Sequence, residues 1–396
     1  MKQRKKTWKV IFMFAVLFVC IWMAMVPGGV AHASSDVIEV YTNGVSLRSD
    51  VEPFIRDDRT YVPLRAISEA LGSDVSYEED SQTAIIINGG VEIRMPVDST
   101  TATVNGRPME IPAPAVLVQE RIMVPLRFVS ETLDSHVTWT DGYEDGPGIV
   151  RVYSSYATKT ESGIGISSKR FVLEEEVGER YTMGSSYFVP QFEGMSDRAF
   201  QNELNMNFQN MISGLKKWIT EHYIFDSEED LNKISAIEDS KEWAEAIYQA
   251  VMEENEYFYS VYDDCDYELI SEGNAILTVG LRGYTYMGGA HGMPYFDCYT
   301  LDLNRNRRLT LKDLFADGVD YESILLNEME KIRSKDIENF EEVENVTEID
   351  GTTTDFYFKD RNLVLYYRPY HLSSYARGYV EFPIPINSIA DDLAIE

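Results

Sequence analysis

The chain has 396 residues with 35 Lys and Arg against 66 Asp and Glu, a formal charge of −31. That balance excludes nucleic acid as a partner, excludes an anionic membrane or wall polymer bound by charge alone, and favours a cationic partner. Hydrophobic residues at 44% and aromatics at 12% exclude a disordered chain and suffice for packed cores in two or three domains.

The first element is a leader over residues 1–33. Lys2, Arg4, Lys5, Lys6 and Lys9 precede an uncharged apolar run from Val10 to Val26, which Pro27, Gly28 and Gly29 break before Ala31-His32-Ala33. A basic start, an apolar centre and a small-residue site form a secretory signal, with cleavage expected between Ala33 and Ser34. The alternative is an uncleaved anchor, since the run approaches the ~18 residues that begin to read as a membrane span. No membrane contact is expected beyond it. The leader holds five of the 35 bases and no acid, so the exported part carries a formal −36.

A duplication follows. Arg59-Thr-Tyr-Val-Pro-Leu-Arg-Ala-Ile-Ser-Glu-Ala-Leu aligns with Arg121-Ile-Met-Val-Pro-Leu-Arg-Phe-Val-Ser-Glu-Thr-Leu, an offset of 62 that also maps Asn43-Gly44 onto Asn105-Gly106 and Tyr77 onto Trp139. Asn-Gly between apolar alternations predicts a hairpin turn. Pro63 and Pro125 end a strand and open a helix. Leu64, Ile67 and Leu71 then share one helical face, as do Leu126, Val129 and Leu133. The reading is two modules of hairpin, strand, short helix and strand, about 36–98 and 99–155. The repeated motif resembles the copper amine oxidase N-terminal-like domain, which implies a stalk or attachment module of exported Gram-positive proteins over residues 36–155. The copper in that family name does not carry over. The five His (His32, His136, His222, His291, His371) show no local ligand spacing, so no metal or cofactor is expected. Arg65 and Arg127 are expected in an ion pair fixing helix to sheet.

Residues 156–168 read as a Ser/Thr/Gly-rich linker. From 169 to 396 the pattern is α+β. A hairpin over Lys169–Phe192 precedes a long amphipathic helix through Phe200, Leu204, Phe208, Met211, Leu215 and Ile219 and a second helix through Trp243, Ile247 and Val251. Strands over 257–270 and 275–282, a helix from Tyr321 and three late strands complete a largely antiparallel sheet with two or three helices. Cys265 and Cys298 are candidates for a disulfide in an oxidising compartment, with their separation left open.

The run Tyr284-Thr-Tyr-Met-Gly-Gly-Ala-His-Gly-Met-Pro, with Arg308-Leu-Thr-Leu-Lys-Asp-Leu-Phe after it, resembles two domain families of unknown function. They occur together in the extracellular, lysozyme-sensing part of the anti-sigma factor RsiV and in the non-catalytic N-terminal region of the peptidoglycan deacetylase PdaC. Only nine residues precede the apolar run, so sigma-factor control is not expected. The Thr-Phe-Asp-Asp motif of the deacetylase is missing from the sequence. The expected function is therefore a non-catalytic, secreted or surface-attached binding protein. Its partner is a cationic protein such as lysozyme, or a wall glycan. Tyr284, Tyr286, Gly288, Gly289 and His291 are the candidate contact residues. A wall-modifying enzyme using His291 as base, with Asp297 or Asp302 orienting it, is the alternative.

Overall fold

A computed structural model describes residues 37–140, 147–178, 181–223, 228–254, 260–350 and 354–394. The leader over 1–33 lies outside the described residues.

The first half is all strand but for two helices. In chain order it runs β1 (Ile38–Thr42), β2 (Val45–Ser46), β3 (Phe54–Arg56), β4 (Arg59–Pro63), α1 (Leu64–Ala70), β5 (Asp74–Glu78), β6 (Thr83–Asn88) and β7 (Val91–Pro96). Then come β8 (Thr101–Val104), β9 (Arg107–Glu110), β10 (Val116–Val118), β11 (Arg121–Pro125), α2 (Leu126–Thr132), β12 (His136–Thr140) and β13 (Gly148–Tyr153). The offset of 62 carries β4 onto β11, α1 onto α2 and β5 onto β12 residue for residue. Pro63 and Pro125 cap the helix starts, and Leu71 and Leu133 stand at the helix ends. Asn43 and Asn105 have φ of 47° and 50° and the following glycines 75°, the paired positive φ that an Asn-Gly hairpin turn requires.

The repeats are not two separate modules, however. The sheets run β12-β13-β1-β2, β10-β11-β4-β3 and β5-β6-β7-β8-β9, each with strands from both copies. In the second, Val62 faces Val124, Met123 faces Pro63 and Pro125 faces Tyr61. Residues equivalent by sequence thus stand opposite one another, which places a local two-fold axis at the Val62–Val124 pair. One core, including Ile67, Ile86, Val129 and Val152, serves both copies. A single copy could not bury its hairpin and its helix together, so the copies interleave.

The second half begins with β14 (Thr158–Lys159), β15 (Gly165–Val177) and β16 (Tyr181–Glu193), then α3 (Arg198–Tyr223), α4 (Glu228–Ser235) and α5 (Ser240–Glu254). Next are β17 (Val261–Gly273), β18 (Ile276–Tyr286), β19 (Met293–Asp302), β20 (Arg307–Arg308), α6 (Tyr321–Lys335) and α7 (Ile337–Phe340). The chain closes with β21 (Asp355–Lys359), β22 (Asn362–Tyr367) and β23 (Val380–Pro385). Strands β14 to β20 form a seven-stranded sheet in sequence order. All its pairs are antiparallel except β16–β17, which the helical excursion α3–α5 makes parallel. The apolar stripe of α3, Trp243, Ile247 and the sheet share one core. Five helices stand here among the described residues rather than two or three, because α4 and α7 are too short to show a period. The α+β reading holds.

Residues 156–168 are not a free linker. Thr158 and Lys159 pair with the start of β15. Glu272, in the β17–β18 hairpin, accepts from Thr160 Oγ1 at 2.8 Å, Glu161 N at 2.8 Å and Ser162 N at 2.7 Å. Their polarity is consumed by a residue 110 positions away, which composition does not reveal. The two halves also touch directly. Leu269 N donates to Gly44 O at 2.9 Å, Arg151 lies 3.5 Å from Asp266 and 3.8 Å from Glu268, and Phe188 stacks on Tyr153 at 4.0 Å and on His136 at 5.0 Å.

The candidate disulfide does not form: Cys265 and Cys298 are free and buried. Cys265 faces Gly283 and Cys298 faces Gly280 on the intervening strand β18. Two strand spacings and a three-residue offset along the strands set their Cα atoms roughly 14 Å apart, beyond the ~7 Å limit for a bridge. Gly280 and Gly283 also point to opposite faces, so the thiols lie on opposite sides of the sheet.

Candidate functional site

Strands β18 and β19 form a hairpin in which Tyr284 faces Pro294 and Thr285 faces Met293, and residues 287–292 make the loop at its tip. Gly288 and Gly289 adopt φ of 90° and 89°, which a side chain would strain. A Cβ at Gly292 would lie 2.4 Å from Thr285 O and 2.6 Å from the Tyr284 ring. That space is used. Gly292 N donates to Tyr284 Oη at 2.7 Å, Tyr375 Oη donates to Gly292 O at 2.9 Å, and Tyr286 Oη donates to Gly289 O at 3.1 Å.

His291 is part of the same cage. Its ring stacks on Tyr375 with centroids 3.8 Å apart, its Nδ1 lies 2.9 Å from Gly292 O, and its Nε2 lies 3.2 Å from Tyr370 Oη. The carbonyl beside Nδ1 accepts a hydrogen bond from that nitrogen, and Nε2 faces the tyrosine hydroxyl. Tyr370, 58% exposed and at φ 69°, and Tyr284, 37% exposed, present their faces to solvent. The structure therefore brings Tyr284, Tyr286, Gly288, Gly289 and His291 together as one aromatic rim, and adds Tyr370 and Tyr375 from the segment between β22 and β23. Those two were not legible beforehand. They lie some 80 residues downstream, and nothing local sets them apart among 25 tyrosines.

The carboxylates of the enzymatic alternative are engaged elsewhere. Asp297 pairs with Arg368, and Asp302 accepts from Asn304 N at 3.0 Å and Arg305 N at 2.9 Å. Beside the rim, a cleft of about 540 Å³ is lined by Asp264, Asp266, Glu268 and Glu381 against Arg282 and Lys359, with Tyr295, Phe296, Tyr357 and Tyr379 as walls. Burial raises the pKa of Asp264 and Asp266, and Arg151 and Arg282 pull Asp266 back. The cleft is thus net acidic and aromatic. Among the described residues no three His, Cys, Asp or Glu converge on a metal-sized space, and no helix is long and apolar enough to cross a membrane.

The repeat motif departs from expectation. Arg65 bonds Glu69 on its own helix at 3.2 Å, with side chains 62% and 52% exposed, so it does not tie helix to sheet. Arg127 is likewise exposed on α2.

Comparison with known proteins divides the chain in the same order. Residues 41–144 match the family described as copper amine oxidase N-terminal domain, residues 176–294 match deacetylase PdaC, and residues 312–387 match a protein of unknown function, DUF3298. Matches to three known domain families thus follow one another along this chain. A primary amine oxidase of Klebsiella aerogenes is 27% identical over 86 residues, 22% of this chain and 11% of the oxidase, so the chain spans a small part of that relative. Solved structures of DUF3298 proteins from Bacteroides fragilis (19% identity, TM-score 0.45) and Pseudomonas aeruginosa (13%, TM-score 0.34) each cover 58% of this chain and 94% of their own.

Proposed function

We propose that the protein is an exported, non-catalytic surface protein whose second half captures a cationic protein of the lysozyme type. The observation that carries this reading is the rim of Tyr284, His291, Tyr370 and Tyr375 standing beside an acidic, aromatic-walled cleft. Exposed rings supply contact area at low entropic cost, and carboxylates steer and hold basic side chains. The domain order supports the surface location, since domains of these types are typical of extracellular proteins.

The test is capture of lysozyme on immobilised protein, with cytochrome c as an equally basic control, at 0.1 M and 0.3 M salt. Lysozyme should remain bound at the higher salt while cytochrome c is lost. Tyr284→Ala with Tyr370→Ala should weaken lysozyme binding at least tenfold. Equal binding of both proteins would reduce the acidity to a solubility device, and binding of neither would end the proposal.

A further inference from the structure

The duplication supplies its own comparison of two surfaces. Many positions differ between the copies: Glu52 becomes Pro114, Asp74 becomes His136 and Glu78 becomes Thr140. Four surface positions do not drift. Arg59 matches Arg121, Arg65 matches Arg127, Glu69 matches Glu131, and aromatic Tyr77 matches aromatic Trp139. None is required by the core. Tyr77 is 45% exposed and Trp139 39%, and an exposed ion pair on a helix surface, such as Arg65–Glu69, stabilises little.

All of these positions but Glu131 line one or other of two grooves that the local two-fold axis relates. The first, about 840 Å³, is lined by Arg65, Glu69 and Tyr77 of one copy together with Arg121 and Ile122 of the other. The second, about 440 Å³, is lined by Arg127 and Trp139 of the second copy together with Arg59 and Thr60 of the first. Pro63, Leu64 and Val75 of the first groove have Pro125, Leu126 and Val137 as their counterparts in the second. The cross-strand partners of the two rings, Ala84 for Tyr77 and Val150 for Trp139, also line the respective grooves. Each groove is incomplete without the other repeat.

The lining identifies the ligand class. In a chain of net −31, both grooves are charge-balanced. The first sets Arg48, Arg65 and Arg121 against Asp50, Glu69 and Glu120, and the second sets Arg59 and Arg127 against Asp57 and Asp58. Such a surface offers hydrogen-bond donors and acceptors without selecting an ion, beside an apolar floor and one exposed ring. An uncharged sugar has the matching chemistry, with hydroxyls at its edge and an apolar C–H face for the ring.

The geometry points to two equivalent sites for an uncharged glycan chain in the repeat domain, one in each groove. This deepens the surface reading by naming what the attachment domain holds, and it does not depend on the rim at His291.

Calorimetry and fluorescence titration of the full protein with N-acetylglucosamine oligomers, and with cellohexaose as a second neutral glycan, test it. A short oligomer should bind with a stoichiometry of two. Tyr77→Ala or Trp139→Ala alone should lower retention on insoluble glycan about tenfold or more, the order expected for loss of bivalence. The double variant should abolish retention while its circular dichroism stays unchanged. Trp139→Phe should retain binding but lose the tryptophan emission change. Lysozyme capture by these variants should be unaltered, which separates failure here from failure of the reading above. No glycan binding, binding indifferent to the double variant, or an extended peptide bound with the same sensitivity would overturn the proposal.

Discussion

Asn43 and Asn105 occupy the same turn position in the two repeats and have become different residues in function. Asn105 is exposed and its Oδ1 accepts only from Glu92 N at 2.8 Å. Asn43 is fully buried. Its Nδ2 donates to Tyr156 O at 2.7 Å and to Thr158 Oγ1 at 3.3 Å, and its Oδ1 accepts from Ser154 N at 2.7 Å. It bolts the first hairpin to the chain entering the second half. Both variants place alanine at positive φ, at about 1 kcal/mol each, and Asn43→Ala also strands a buried amide and a buried carbonyl, which should cost roughly 2–3 kcal/mol more. Urea titration of both variants measures the difference, and equal midpoints would refute the assignment. The Asn-Gly signal announced both turns equally. Burial of one came from packing against β17, which no local pattern encodes.

At the scale of elements, β18 decides the fate of both thiols. Burial pushes the Cys265 thiol up to about 12 and raises Cys298 as well. A raised pKa keeps the protonated form at neutral pH, and the thiolate is the reactive species. At pH 8 the folded protein should leave a thiol-disulfide exchange reagent unreacted at both positions, and both should react in denaturant with no reductant added. Labelling that needs prior reduction would show a bridge instead. Strands β17 and β18 were legible in the sequence, but β19 was not, and its pairing along the far edge of β18 was needed to see that the cysteines face opposite ways. The same limit applied to the aromatic rim. The glycine-rich hairpin tip was readable as a distinctive run, while Tyr370 and Tyr375 joined it only through tertiary contact.

Across the whole molecule, the repeat domain is less a stalk on a tether than a fixed part of one body. The buried Arg151 of β13 meets Asp266 and Glu268 of β17 and lies 5.8 Å over the Tyr41 ring. Arg282 meets the same two carboxylates from the second half. Removing one member of such a cluster leaves uncompensated charge and costs on the order of 3 kcal/mol. Calorimetry of the protein should show one cooperative transition, which Arg151→Met lowers. Two separate transitions in the parent protein would mean the halves fold independently. The sequence by itself determined the duplication, its helix and turn boundaries, the α+β character and the glycine-rich run that the rim is built on. These rest on interactions within a few residues, namely turn chemistry, capping and apolar period. Only the tertiary structure decided that β1 pairs in parallel with β13 more than 100 residues away, that the repeats interleave around Val62 and Val124, that residues 156–168 are docked, and that two matching grooves result. Strand pairing at long range is chosen by which faces remain uncovered after local structure has formed, and that choice is a property of the assembled surfaces rather than of any stretch of chain.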